Sequence, residues 1–339
     1  MTHEIPHSII RGGWQLAPGH QLGDTAADGL KPILHAIESG FRVFDCADIY
    51  PGVEAWLGEA RARAAESGIA IRVHTKCVPD RDALRDLKFT DVEAIVDRSL
   101  RRLRCGTLDL VQFHWWDHAV PRHIEVLQWL DCLRQGGKLR AIGLTNFDHA
   151  RLQQILDSGI EVHSIQVQHS LVDRRIEPDL LPLCRERGIK VYTYGGLLGG
   201  FLGEAWLDLP KPPALANRSL VKYQLIIEDW GGWDRFQGLV SQLRSIADAH
   251  ECRVAQVAIA ALLAPGHSDA VIVGISPRRF REQNAELAKP IALSPDELAK
   301  LWSWECPLTG GVYELERSSQ KHASIMKYNL NREADGPRA

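Results

Sequence analysis

The chain has 339 residues, of which 45% are hydrophobic and 24% are charged, and its formal net charge is −3. This length suits two ordinary domains or one α/β barrel with insertions, and the lack of excess positive charge argues against nucleic acid as a partner. No apolar run reaches the roughly 18 residues that a membrane-spanning helix needs, and residues 1–13 lack the apolar stretch of a signal peptide. We therefore predict a soluble, cytoplasmic protein.

Eight short apolar runs along the chain are typical of β-strands, and amphipathic segments typical of helices lie between them. Runs rich in Val and Ile on both faces, each followed by a helix, predict parallel strands that are covered on both sides. The eight runs are 9–14, 42–47, 71–76, 108–114, 139–146, 164–169, 190–195 and 270–275. The pattern predicts an α/β fold, a (β/α)8 TIM barrel.

Three of the amphipathic segments carry signals for helix ends. Segment 90–103 begins at Thr90, which we predict to be its N-cap, with Glu93 three residues later in a capping box. The other two segments, 126–135 and 179–188, end at glycines, as helices commonly do.

Cysteine spacing and one histidine pair bear on metal binding. The seven cysteines form no CxxC pair and the nearest two are 27 residues apart, so we expect reduced thiols rather than zinc ligands. The run HWWDH (114–118) follows a predicted strand, where two histidines four residues apart do not pair as they would on a helix. We predict no metal site.

Two regions interrupt the alternation of strands and helices. Residues 196–234, after the seventh strand, are too long for an ordinary connection and hold three tryptophans, which predicts a functional loop over the barrel mouth. A structural insertion is the alternative. We predict a catalytic barrel over residues 1–305 and a C-terminal extension over 306–339, whose last eight residues are disordered.

Polar residues end several of the apolar runs. The second, third and fourth strands end on Asp45, Lys76 and His114, and Tyr50 lies five residues after Asp45. Taken singly, each has an ordinary explanation as a helix cap, a solvated strand end or a core histidine. Because chemistry in such barrels takes place at the carboxyl ends of the strands, side chains that end consecutive strands are expected to converge on one small volume.

These four side chains have complementary acid–base roles. A tyrosine phenol is a weak acid, and a neighbouring ammonium such as Lys76 lowers its pKa. Asp45 would keep that ammonium charged, and His114 would donate a hydrogen bond to a carbonyl oxygen. Such a set suits carbonyl reduction by hydride, and because none of the four delivers hydride, a nicotinamide cofactor is implied.

The sequence resembles the aldo-keto reductase family over about residues 9–304. The resemblance lies in FRVFDCADIYPGVEAWLGEA (41–60), HTK (74–76), LDLVQFHW (108–115), GKLRAIGLTNF (137–147), SIQVQHSLVDRR (164–175), YGGLLGGFLG (194–203), VAQVAIAALL (254–263) and VGISPRRFREQN (273–284). It implies a catalytic tetrad of Asp45, Tyr50, Lys76 and His114. It also implies NADP(H) as the favoured cofactor, with NAD(H) possible.

By the same resemblance, a further set of residues would bind the cofactor. Thr145, Asn146 and Gln166 would hold the nicotinamide carboxamide, and Tyr194 would stack on its ring. The remaining predicted cofactor contacts are Gly195, Leu197, Gly274, Ser276, Arg278, Arg279 and Asn284.

The chain departs from the family pattern near the cofactor. Gly195 and Gly196 replace the usual Ser-Pro after Tyr194, and Ser276 and Phe280 replace the Arg and Gln that contact adenosine. Arg278 and Arg279 could reach a 2′-phosphate from nearby positions or could be a solvated helix start.

The substrate site is predicted at an aromatic mouth. Its expected lining is Trp14, Trp115, Trp116 and Trp230, with Trp206 and Trp233 from the long loop. Aromatic walls accept many small carbonyl or alcohol substrates, so they select neither a substrate nor a reaction direction. We expect a monomer or a small homo-oligomer.

Two other functions remain open at this stage. One is a cofactor-binding regulatory or scaffold subunit, as the potassium-channel β subunits of this family are. The other is a Schiff-base aldolase that uses Lys76, which would leave Asp45, Tyr50 and His114 unexplained.

Overall fold

The computed structural model describes residues 8–17, 29–215, 217–311, 320–325 and 327–331. Eight parallel strands close into a barrel in sequence order, which confirms the predicted (β/α)8 fold. The strands are β1 (Ile9–Gly12), β2 (Val43–Asp45), β3 (Arg72–Cys77), β4 (Leu110–His114), β5 (Ile142–Thr145), β6 (Ser164–Gln168), β7 (Lys190–Tyr194) and β8 (Ala270–Gly274). Each of the eight predicted runs contains one of them, apart from single-residue differences at the ends.

Helices surround the barrel, and three of them lie between β7 and β8. Their bounds are α1 (Leu30–Glu38), α2 (Val53–Glu66), α3 (Phe89–Arg102), α4 (His123–Gln135), α5 (His149–Asp157), α6 (Leu180–Glu186), α7 (Arg218–Trp230), α8 (Trp233–Ala249), α9 (Val254–Leu262), α10 (Phe280–Leu287), α11 (Pro295–Trp302) and α12 (Gln320–Ala323). None of the helices in the described ranges is long and apolar enough to cross a membrane.

Two local predictions differ from the structure. Helix α3 begins at Phe89, so Thr90 is already helical and is not the N-cap; the backbone N–H of Lys88 donates to the Asp91 carboxylate at 2.9 Å instead. In the long segment after β7, residues 218–230 form α7, because Asn217 caps its first turn by accepting from Leu220 N at 3.0 Å. The described part before Asn217 contains two 3-10 helices, Leu198–Gly200 and Glu204–Trp206.

Apolar side chains form two large cores and one small cluster of strand residues, Ile10, Val43 and Ala270. The larger core fills the space between the strands and the helices around them, and the second packs α7, α8 and α9 against one another and α11. Inside the barrel, Asp45, Lys76, Gln112 and Gln166 are all at most 5% exposed. Buried polar groups need partners, and these four side chains bind one another.

The C-terminal segment returns to the barrel at the β3–α3 loop. Asn329 Oδ1 accepts from Asp82 N at 3.1 Å, and the backbone N–H of Asn331 donates to Asp80 Oδ1 at 2.8 Å. The predicted disorder of the last eight residues concerns positions outside the described ranges. We retain the division at residue 305 as a proposal.

Candidate active site

The structure brings three of the predicted acid–base residues together at the carboxyl ends of the strands. Lys76 Nζ lies 2.8 and 3.0 Å from the two carboxylate oxygens of Asp45 and 2.7 Å from the carbonyl oxygen of Cys46. It also lies 5.3 Å from the ring centroid of Tyr50. Asp45 and Lys76 are buried, whereas Tyr50 as a whole residue is half-buried.

Burial and charge act in opposite directions on this group. Burial lowers the pKa of the Lys76 ammonium, but the Asp45 carboxylate and Tyr50 outweigh it, and the pKa lies above its usual value. Burial raises the pKa of the Tyr50 phenol to about 12, although the Lys76 ammonium lowers it. Lys76 lowers the pKa of Tyr50 as the sequence predicts, but desolvation of the phenolate is the larger effect. Tyr50 is therefore protonated at neutral pH.

His114 ends β4 beside the same site. Its Nδ1 lies 3.2 Å from the carbonyl oxygen of Thr145, and its ring makes an edge contact with Trp116 at 4.5 Å between centroids. When Nδ1 donates to that carbonyl, a neutral ring has only an acceptor at Nε2. Donation to a substrate carbonyl then requires a proton on Nε2 as well.

Sequence reasoning missed Gln112, which lies in the barrel interior next to the carboxylate. Its Nε2 donates to Asp45 Oδ2 at 3.0 Å, and Gln166 Nε2 donates to the same oxygen at 2.7 Å. Gln166 Nε2 also donates to Gln112 Oε1 at 3.1 Å. The amide N–H groups of Gln166 are thus engaged within the protein, and only its carbonyl oxygen is left to face a cofactor.

The end of β5 offers groups that fit a nicotinamide carboxamide. Thr145 Oγ1 is buried and has no hydrogen-bond partner among the described residues. Asn146 adopts a left-handed backbone conformation with φ 61°, and its Oδ1 accepts from the Tyr194 hydroxyl at 2.8 Å. A bound carboxamide would give the buried Thr145 hydroxyl a hydrogen-bond partner beside the oriented amide of Asn146.

The backbone and the surroundings of the residue after Tyr194 require a glycine. Gly195 has φ +75°, and a Cβ there would lie 2.8 Å from the Tyr223 hydroxyl, so no larger residue fits. Leu197 is partly buried against both cores. Lys222 of α7 was also missed: its Nζ lies 5.0 Å from the centroid of the Tyr194 ring, the ring predicted to stack on nicotinamide.

At the predicted adenosine end, the two arginines differ. Arg279 pairs with Glu286 at 3.2 Å, while Arg278 is exposed and makes no hydrogen bond or ion pair within the described ranges. The backbone N–H of Arg279 donates to Ser276 Oγ at 3.2 Å. The Asn284 side chain is fully buried, with Nδ2 2.9 Å from His35 Nδ1 and with no hydrogen-bond partner for Oδ1 among the described residues.

The structure also makes room for Gln15 beside Gly274. A Cβ at Gly274 would lie 2.0 Å from Gln15 Oε1, so the glycine is required by this contact.

Two of the six predicted mouth tryptophans lie near the tetrad. Trp14 makes an edge contact with Tyr50 at 4.7 Å between ring centroids, and Trp116 packs on His114. Tyr328 of the C-terminal segment packs on Trp116 at 5.4 Å, a contribution that sequence reasoning did not find.

The other tryptophans are core residues, which corrects their predicted place at the mouth. Trp115 is 1% exposed and packs on Phe113 on the outer face of β4, since alternate residues of a strand point the same way. Trp230 is fully buried, and its Nε1 donates to Glu305 O at 3.1 Å. Trp206 and Trp233 pack on Phe201 in the second core.

A separate cluster has metal-ligand chemistry. Among the residues that the structure describes, ligand atoms of His169, Glu177 and His267 lie within 4.8 Å of one another. Glu177 Oε1 lies 3.0 Å from His169 Nε2, and its other oxygen accepts from Arg174 at 2.8 Å. Ion pairing and hydrogen bonding explain the group without a cation.

The chain also matches a protein-family model and several curated proteins. The model of the aldo/keto reductase family matches residues 8–304. The NADH-specific methylglyoxal reductase of Escherichia coli (strain K12) is 28% identical over 279 residues, which are 76% of this chain and 82% of that protein. Flagellar radial spoke protein 5 of Chlamydomonas reinhardtii is 33% identical over 172 residues, which are 45% of this chain and only 32% of that protein.

Solved structures share the fold. An aldo/keto reductase from Klebsiella pneumoniae in complex with NADP and acetate is 23% identical with a TM-score of 0.66, over 90% of this chain and 94% of that chain. A glycerol dehydrogenase from Gluconobacter oxydans is 24% identical with a TM-score of 0.68, over 88% and 93% of the two chains.

Proposed function

Because the chain belongs to the aldo/keto reductase family, we propose that it transfers hydride between a nicotinamide cofactor and a small carbonyl or alcohol, with Tyr50 as the general acid or base. The observation that carries this proposal is the position of the Lys76 ammonium, which binds the Asp45 carboxylate at 2.8 Å and lies beside the Tyr50 ring. A half-buried phenol next to a buried ion pair is an arrangement typical of a proton-transfer site.

Nicotinamide, when bound, supplies or accepts the hydride. In the reducing direction Tyr50 holds its proton at neutral pH and donates it to the alkoxide oxygen as that oxygen gains charge. The Lys76 ammonium stabilises the phenolate left behind, and Asp45 keeps that ammonium charged. His114 orients the carbonyl oxygen. Because Lys76 stays protonated, it is a poor nucleophile, which argues against the aldolase alternative.

The cofactor contacts form a second part of the proposal. Thr145 and Asn146 would hold the nicotinamide carboxamide, since both offer polar groups at the end of β5, and Tyr194 would support the ring. We favour NADP(H) because Arg278 is exposed and unpaired within the described ranges, ready for a 2′-phosphate. NAD(H) remains the alternative, and the E. coli relative is described as NADH-specific.

We propose a small aldehyde as the substrate class, because Trp14, Trp116 and Tyr328 narrow the approach to Tyr50 and the E. coli relative is a methylglyoxal reductase. A second candidate function is a cofactor-binding scaffold subunit, favoured by the 33% identity to the radial spoke protein.

Tyr50→Phe tests the proposal, because it removes the proton donor and little volume. We expect NADPH affinity to be unchanged, measured by quenching of tryptophan fluorescence, and turnover of small aldehydes to fall by about a thousandfold. Tyr192→Phe is the matched control, since it removes a phenol hydroxyl elsewhere in the barrel and should leave turnover intact. Full turnover by Tyr50→Phe would place the acid elsewhere. A wild-type protein that binds cofactor but reduces no aldehyde in a broad panel would favour the scaffold function.

A further inference from the structure

The structure assigns Gln112 a role as a positioning residue. Its amide donates a hydrogen bond to the Asp45 carboxylate, so that the Lys76 ammonium is needed less there and is available to Tyr50. This inference rests on the proposed oxidoreductase function. The first observation is that the two carboxylate oxygens of Asp45 accept from different numbers of donors. Among the described residues, Asp45 Oδ1 accepts from Lys76 alone, whereas Oδ2 accepts from Lys76 at 3.0 Å, Gln112 at 3.0 Å and Gln166 at 2.7 Å.

The orientation of the two amides is fixed by chemistry. An ionised carboxylate only accepts hydrogen bonds, so the nitrogens of Gln112 and Gln166 must face Asp45. The second N–H of Gln166 donates to Gln112 Oε1 at 3.1 Å and closes a ring of three side chains. All three are at most 5% exposed, so no water competes for these bonds from bulk solvent.

The surrounding backbone is shaped to admit the Gln112 side chain. Gln112 pairs with Lys76 of β3 on one side and with Gly143 of β5 on the other. A Cβ at Gly143 would lie 3.1 Å from Gln112 Cγ and 2.7 Å from Ser164 Oγ. The glycine therefore leaves the space in which the Gln112 amide reaches across to Asp45.

The consequence concerns the three protons of the ammonium. Lys76 has three N–H groups and short contacts to both Asp45 oxygens and to Cys46 O, so these acceptors compete with the Tyr50 hydroxyl for the ammonium. Because two amides also donate to Asp45 Oδ2, the longer hydrogen bond from Lys76 to Oδ2 can break without leaving that oxygen without a donor. The released N–H can then follow the Tyr50 oxygen as it becomes a phenolate.

Gln112→Met and Gln112→Glu test this role. Met keeps the length and volume but donates nothing, so Lys76 is held on Asp45 and supports the phenolate less. We expect turnover to fall about tenfold, the alkaline limb of the pH profile to move up by about one unit, and cofactor affinity to stay unchanged. Alkaline titration of tyrosinate absorbance in the cofactor-free protein, with Tyr50→Phe subtracted, should show the same upward shift.

Gln112→Glu should give a conditional rescue. A protonated carboxyl can donate to Asp45 as the amide does, and it loses this ability on ionisation. Turnover of Gln112→Glu should therefore approach that of the wild type at low pH and decline as pH rises. The pH profile of Gln112→Met should not show this decline. Thr75→Val is the control for a lost buried bond to a carboxylate, since Thr75 donates to Glu54 at 2.6 Å; it should alter stability but not the profile.

The outcomes separate the two proposals. If the wild type turns over aldehydes and Gln112→Met changes neither the pH profile nor the tyrosinate titration, the positioning role is wrong and the oxidoreductase function stands. If the wild type has no turnover, the function fails, and the tyrosinate titration still decides whether Gln112 acts on Tyr50.

Discussion

Arg278 and Arg279 are adjacent in sequence, but their guanidinium groups have different surroundings. Glu286 neutralises Arg279 at 3.2 Å, whereas Arg278 has no such partner within the described residues. A 2′-phosphate adds negative charge that a free guanidinium can bind with two hydrogen bonds. We expect Arg278→Ala to weaken NADPH binding about tenfold and to leave NADH binding unchanged, measured by fluorescence titration.

Arg279→Ala is the matched control for that experiment. Because its side chain is already paired, its loss should change NADPH affinity much less than the loss of Arg278. An equal loss of NADPH and NADH affinity in Arg278→Ala would mean that the residue does not read the 2′-phosphate, and a larger effect of Arg279→Ala would reverse the assignment.

At the scale of single residues, functional side chains that end apolar runs can be predicted from the sequence, whereas those inside the runs cannot. Asp45, Lys76 and His114 stand out because a charge or imidazole closes a strand. Gln112 lies within the run LVQFH, where one polar residue has no feature that marks it as a partner of Asp45. Only the register of β3 and β4 brings it there.

At the scale of elements, regular strands were predictable and long-range contacts were not. The eight strands follow from the period of apolar residues, which local sequence carries. In the segment after β7, the clustered Gly, Pro and Trp dominate the pattern and predict a loop, whereas residues 218–230 form a helix for which Asn217 is a good N-cap. That the C-terminal segment packs on Trp116 depends on two segments more than 200 residues apart, and no local pattern encodes it.

The C-terminal segment gives an element-scale prediction. Tyr328 packs on Trp116 and has the Arg81 guanidinium 4.6 Å from its ring, so it completes the wall next to His114. We expect Tyr328→Ala to raise KM for aldehydes several-fold while kcat and cofactor affinity change little, because the ring contacts the approach and not the acid–base group. Steady-state kinetics with a small and a bulky aldehyde would measure this.

Asn329→Ala serves as the control, since it removes the bonds to Asp82 and keeps the aromatic ring. If it raises KM as much as Tyr328→Ala does, the docking of the whole segment matters and not the ring. Unchanged KM in both variants would show that the segment has no part in the substrate site.

At the scale of the whole molecule, buried titrating groups link stability to pH. Burial lowers the pKa of His74 to about 4, and it also lowers the pKa values of His123, His163 and His169. These rings stay neutral in the fold, whereas the unfolded chain takes up protons near pH 6.5. Asp48 acts the other way: burial raises its pKa to about 8, so the folded state holds a proton that the unfolded state has lost. The histidines therefore destabilise the fold as pH falls below about 6.5, and Asp48 destabilises it as pH rises from about 4 to 8.

His74→Phe isolates the histidine contribution, because it keeps an aromatic ring against Tyr192, which stacks on His74 at 5.3 Å. Between about pH 7 and pH 5, the unfolded wild type gains a proton at position 74 that the folded barrel refuses, and the free energy of unfolding falls by about 2 kcal/mol more than in the variant. Urea unfolding at the two pH values measures the difference. Asp48→Asn is the opposing control: its stability relative to the wild type should rise as pH increases from about 4 to 8. Parallel pH dependence in the wild type and His74→Phe would mean that the ring takes up its proton in the fold as it does in the unfolded chain. The Asp45 carboxylate, which raises the pKa of His74, would then offset the cost of burying that charge.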